Sequence, residues 1–148
     1  MDAIQQRFSE MKWAYGEGDP AALAELEGRI ARTGRAGKLI TYSDLVRGVP
    51  FDLANLSESP RFIDVADWQD LDRAIVGDFL GVISARSYDV GGFLASALAV
   101  TAHDGTPGEG FNALLRELGL ITKLSSERAL DLWVENVGKA YAWYRQHA

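Results

Sequence analysis

The sequence predicts an α+β domain that is mostly α, with a small β element and additional helices at both ends. Three observations predict it. Apolar residues recur at helical spacing in several separate stretches, capping and stopping residues bracket those stretches, and one run, Phe93–Thr101, is apolar at both sets of alternate positions.

Ile4, Phe8, Met11 and Tyr15 place an amphipathic helix over residues 3–16, ended by Gly16-Glu17-Gly18. Asp19 then caps a second helix with Pro20 at its first position, where a missing amide proton costs nothing. Leu23, Leu26 and Ile30 form its buried stripe and Gly34 stops it. Leu39-Ile40 reads as a short strand. Thr41 and Asp44 stand at capping-box spacing and open a short helix that Gly48-Val49-Pro50 must end. Residues 50–66 carry two prolines and no period, which predicts an irregular connection.

From Asp67 a long helix places Leu71, Ile75, Phe79, Val82 and Ile83 on one face. Gly77 and Gly81 cost it about 1 kcal/mol each relative to alanine, so close backbone approach by a neighbour is expected there. Gly91-Gly92 breaks the chain before Phe93–Thr101, expected to be a strand covered on both faces. Residues 103–108 are turn chemistry, with Pro107-Gly108 suited to a type II turn. Phe111, Leu114, Leu115 and Leu118 give a short helix closed by Gly119. Ser125 is expected to cap the last helix, with Leu130, Trp133, Val134, Val137, Tyr141 and Tyr144 on its core face.

With 148 residues and no internal repeat, the chain reads as a single domain over 1–148, its centre at about 39–111 and flanking helices within 3–34 and 111–146. A chain of this length buries about 70% of its unfolded surface, and 47% hydrophobic residues suffice for a core. There is no cysteine, which excludes disulfides, thiolate nucleophiles and thiolate metal sites and fits a reducing compartment. The first residues have neither a basic start nor an apolar stretch, and Gly91–Ala102 is too short to cross a bilayer, so a soluble cytoplasmic protein with no membrane contact is expected.

The net charge of −6 is unevenly spread. Residues 29–47 hold Arg29, Arg32, Arg35, Lys38 and Arg47 against Asp44 alone, whereas residues 48–82 hold seven acids against Arg61 and Arg73. A local basic strip can attract an anion even on an acidic protein, so Arg29, Arg32, Arg35 and Lys38 are candidate nucleic-acid contacts. A solvated charged face explains the same residues.

Only two histidines are present, and no metalloprotease, phosphate-loop, dinucleotide or nucleophile-elbow motif occurs; no cofactor and no metal site is expected. The one dense polar cluster is His103, Asp104 and Glu109. A histidine with two carboxylates could serve as base and orienter. Turn chemistry also accounts for them, with Asp104 bonding its own backbone and Glu109 favourably placed at a helix start.

Three segments carry a resemblance. Thr41-Tyr42-Ser43-Asp44-Leu45-Val46, Arg73-Ala74-Ile75-Val76-Gly77 and Asp104-Gly105-Thr106-Pro107-Gly108-Glu109-Gly110-Phe111 resemble, in order and spacing, motifs of the winged-helix domain of alkylguanine-DNA alkyltransferases and alkyltransferase-like proteins. The first is similar to their helix opening, the second to their Arg-Ala-Val-Gly recognition-helix motif with one residue added, and the third to their wing turn. The resemblance spans about residues 41–111 and implies a winged-helix-like centre. It also implies that Tyr42 and Arg73 match the family's tyrosine and arginine that help rotate a nucleotide out of the duplex. The family's Pro-Cys-His-Arg motif is missing: Ala97 stands at the cysteine, followed by Leu98 and Ala99. Without a thiolate there is no alkyl acceptor, so alkyl transfer is excluded.

The leading reading is therefore a non-catalytic winged-helix-like binding or interaction module working through protein or weak nucleic-acid contacts. A small enzyme using the His103, Asp104 and Glu109 loop is the first alternative. A homo-oligomeric assembly subunit burying its N-terminal helix against a copy of itself is the second. Strong DNA binding is not expected, because the helix from Asp67 sets Asp67, Asp70, Asp72 and Asp78 against Arg73.

Overall fold

A computed structural model of the chain describes residues 1–56, 59–124 and 126–147. Six α-helices and two very short strands appear among them: α1 Ala3–Glu10, α2 Pro20–Arg35, β1 Ile40–Thr41, α3 Tyr42–Val46, α4 Asp70–Gly91, β2 Ala99–Val100, α5 Gly108–Glu117 and α6 Glu127–Gln146. The protein is thus α+β and mostly α, with a two-stranded parallel sheet that pairs Ile40 with Ala99 and Thr41 with Val100. No helix among the described residues is long and apolar enough to cross a membrane.

Local chemistry explains most element boundaries. The Asp19 carboxylate accepts from the Ala22 amide and Pro20 opens α2, which runs to Arg35, one residue beyond the expected stop. The Thr41 hydroxyl accepts from the Asp44 amide and starts α3. Gly92 takes a left-handed conformation at the end of α4, as Gly119 does just after α5. Ser126 caps α6 by accepting from the Ala129 amide; Ser125 lies outside the described residues. The described residues of 50–66 form no helix, and an antiparallel bridge between Phe51 and Arg61 ties them across.

α4 is the central element. Ile75, Val76, Phe79, Leu80, Val82 and Ile83 are all buried, so it is covered on more than the one face that its sequence suggested. It begins at Asp70, behind Gln69, whose amide donates to Asp72. Asp72 is itself buried and ion-paired with Arg61 at 2.8 Å, which answers its lost hydration. One core cluster surrounds α4, α2 and the loop around Phe51. A second joins Phe8, Leu94, Phe111, Leu115, Leu118 and Leu132 between α1, α5 and α6.

Five expectations are corrected. The first helix ends at Glu10 rather than residue 16, because the Tyr15 and Gly16 amides donate to the Asp78 carboxylate at 2.8 and 2.6 Å instead of to a helix. Residues 93–101 are buried as far as Val100, yet only Ala99–Val100 are strand and residues 95–98 form a 3-10 turn. Side chains, not a ladder, satisfy that backbone. Leu94 donates to the Asn136 carboxamide, Ala95 to the Ser87 hydroxyl and Ser96 to the Ser84 hydroxyl, while Trp133 donates to the Ala97 carbonyl.

The close backbone approach to α4 is made by Gly16, where a Cβ would stand 3.0 Å from the Asp78 carbonyl oxygen. Gly81 instead accommodates the Trp13 ring, and Gly77 meets nothing within 4 Å. The core face of α6 is rotated from the expected one: Leu130 and Val134 are 54% and 59% exposed, and Ala129, Leu132, Asn136 and Ala140 are buried. Pro107 has ψ −11°, which is not the type II turn geometry, and it stands as the cap residue of α5.

Candidate ligand pocket between α3, α4 and α5

The turn after β2 is built by one carboxylate. Asp104 Oδ1 accepts from the Thr101 hydroxyl at 2.5 Å, the Thr106 hydroxyl at 2.8 Å and the Thr106 amide at 3.0 Å. These three donors hold its pKa down to about 2. The loop also closes through its backbone, with Thr101 donating to the Thr106 carbonyl and Gly105 to the Thr101 carbonyl. Its far end is tied to α3, where the Tyr42 hydroxyl donates to the Pro107 carbonyl. Burial pushes the Tyr42 phenol up to about 12, so it stays a neutral donor at physiological pH.

This tie closes one side of a cavity of about 660 Å³, a size that suits a small ligand. Tyr42 and Ser43 of α3 line one wall, Arg73, Val76, Gly77, Leu80 and Gly81 of α4 a second, and residues 107–111 with Ala113, Leu114 and Glu117 a third. Trp13 and Trp68 enter from irregular segments. The lining is mostly apolar and aromatic. Trp13 is positioned because Asp78 holds the following residues and Gly81 leaves room for its ring.

The structure separates the sequence-predicted residues into groups. Tyr42, Arg73 and Glu109 share the pocket. His103 is exposed in the turn and does not line it; Asp104 is exposed and occupied by its three donors. Among the described residues, no hydrogen bond joins His103 to Asp104 or Glu109, and no group of three or more His, Asp or Glu side chains could hold a metal ion. Ser96 reaches the pocket, but its hydroxyl accepts from Ser84 at 2.7 Å. Ala97 is wholly buried. The Arg73 guanidinium donates to Asp70 at 3.1 Å from an exposed position.

The basic strip divides in two. Arg29 is half-buried and donates to the Asp44, Leu45 and Arg47 carbonyls at 3.1, 3.2 and 2.9 Å, and to Glu25. It therefore caps the C-terminal end of α3 from α2. Arg32 and Arg35 are exposed on α2, and Lys38 is exposed while its carbonyl accepts from the Tyr141 hydroxyl at 3.0 Å.

Trp13, Trp68 and Glu117 escape a sequence reading, because the two tryptophans lie outside helical periodicity and Glu117 looks like any surface acid of a helix. The helical glycines Gly77 and Gly81, beside Arg73, are the sequence signals on this face of α4. Comparison of the chain with protein-family models, with curated proteins and with solved structures finds no match.

Proposed function

We propose that this chain is a non-catalytic binding module whose winged-helix-like centre holds a small, mainly apolar aromatic ligand in the pocket between α3, α4 and α5. One observation carries the reading. Tyr42, Arg73 and residues 107–111, from the three segments that resemble winged-helix motifs, line a single cavity with two tryptophans. Aromatic walls around a few polar groups suit a flat apolar guest. The parallel pairing of β1 with β2, beside the turn that begins α5, supports a winged-helix-like centre.

A non-catalytic role is favoured over the enzyme reading by how the polar groups are used. Asp104 is spent on its turn, Ser96 bonds another serine, Tyr42 bonds a backbone carbonyl, and His103 does not line the cavity. No general base stands hydrogen-bonded to a nucleophile there among the described residues.

The test uses Gly77, where an added side chain meets open space inside the cavity. Naphthalene-2-methanol, a neutral flat probe, should quench tryptophan fluorescence saturably in the wild type. Gly77→Leu should abolish that quenching without lowering the unfolding midpoint, because leucine favours the helix by up to about 1 kcal/mol over glycine. Equal quenching in both proteins would place the probe elsewhere and overturn the reading.

A further inference from the structure

We infer that the pocket selects a small planar organic cation. The inference rests on the pocket reading above and follows from the charges that surround the aromatic walls. Three charged residues line the cavity: Arg73, Glu109 and Glu117. The Arg73 charge is answered by Asp70. Glu109 and Glu117 take part in none of the ion pairs found among the described residues.

A basic group from α1 that reaches α5 does not change this balance. Arg7 of α1 donates to the Glu117 carbonyl at 3.3 Å, serving the C-terminal end of α5 rather than the carboxylate. Asp104, ionised in the adjoining turn, adds a further negative charge next to α5. The cavity lining therefore combines two exposed α5 acids that make no ion pair among the described residues with the aromatic residues Trp13, Trp68 and Tyr42. Aromatic faces attract a cation through their quadrupole, and carboxylates reinforce the same sign. An anion meets repulsion from both, and a neutral ring gains only the apolar contact.

Calorimetric titration with three two-ring probes of matched size tests the inference: N-methylquinolinium, naphthalene-2-methanol and naphthalene-2-sulfonate. The cation should bind about fivefold more tightly than the neutral probe, the gain available from exposed charge pairs. The sulfonate should bind most weakly. In a Glu109→Gln, Glu117→Gln double variant, the ratio of cation to neutral affinity should fall towards one, and added salt should reduce it in the wild type.

Equal binding of cation and neutral probe, with both lost in Gly77→Leu, would overturn the charge inference and leave the pocket reading standing. Tightest binding of the sulfonate would overturn it in the same way. Binding of none of the three would overturn the pocket reading itself, and the inference with it.

Discussion

The Tyr42 hydroxyl donates to the Pro107 carbonyl, joining the first residue of α3 to the cap residue of α5 across 65 positions of sequence. That contact fixes the distance between two walls of the pocket. It also spends the one tyrosine hydroxyl among the lining residues, so Tyr42 acts as a strut.

Tyr42→Phe removes the donor and leaves a carbonyl of the buried Pro107 without its partner. The expected loss is about 1 kcal/mol of unfolding free energy, read from urea melts. The phenol also makes a pH prediction. Its folded pKa is raised above the ordinary 10 to about 12, so its contribution is full below pH 10 and is lost as pH rises through 12. Tyr88 and Tyr144 are also raised to about 12, so ultraviolet titration should show one tyrosinate fewer forming near pH 12 in the variant than in the wild type. A Tyr42 that ionises near pH 10 with the fold intact would refute the buried strut.

The contrast between Gly77 and Gly81 gives the second prediction. Both lie on α4 and share the same helical cost, yet a Cβ at Gly81 would stand 2.5 Å from the Trp13 ring and one at Gly77 would meet nothing. Gly77→Ala should stabilise the protein by about 1 kcal/mol. Gly81→Ala gains the same helix propensity but forces Trp13 out of its seat, at a cost of about 1–3 kcal/mol. Gly81→Ala should therefore be the less stable of the pair, with tryptophan emission shifted to the red. Matching stabilities and spectra would mean that Trp13 does not rest on α4.

How far the sequence foretold this arrangement depends on where each backbone group finds its partner. α2 was legible because Asp19 and Pro20 are local signals, and the end of α5 was legible because Gly119 is another. The 3-10 turn at 95–98 was not, since its amides are satisfied by Ser84 and Ser87 on α4, and the preceding Leu94 amide by Asn136 on α6. A run apolar at both sets of alternate positions looked the same for a strand covered on both faces and for this buried turn. The face of α6 was misjudged because its buried line includes Ala129, Asn136 and Ala140, and size alone favoured Leu130 and Val134. Three parts of the pocket were foreshadowed by Tyr42, Arg73 and Glu109. Trp13 was not, because its position depends on Asp78, more than sixty residues away.

The last prediction concerns the basic strip, which loses a member to the fold. Arg29 donates to three carbonyls at the end of α3, so Arg29→Ala should destabilise by about 1.5–3 kcal/mol, as for hydrogen bonds from a charged donor. Arg32→Ala, at an exposed site, should stay within about 0.5 kcal/mol of wild type. With Arg29 engaged, Arg32, Arg35 and Lys38 remain for phosphates. Three contacts imply a slope of log affinity against log salt of about −2.7 on duplex DNA, so raising salt from about 50 to about 200 mM would cost roughly fortyfold. The acidic residues of α4 oppose approach of the same duplex. No duplex binding should therefore be detectable by gel shift at about 150 mM salt. Submicromolar binding there, abolished by Arg32→Glu but not by Arg29→Ala once its stability loss is accounted for, would make the exposed part of the strip a nucleic-acid site and reverse this conclusion.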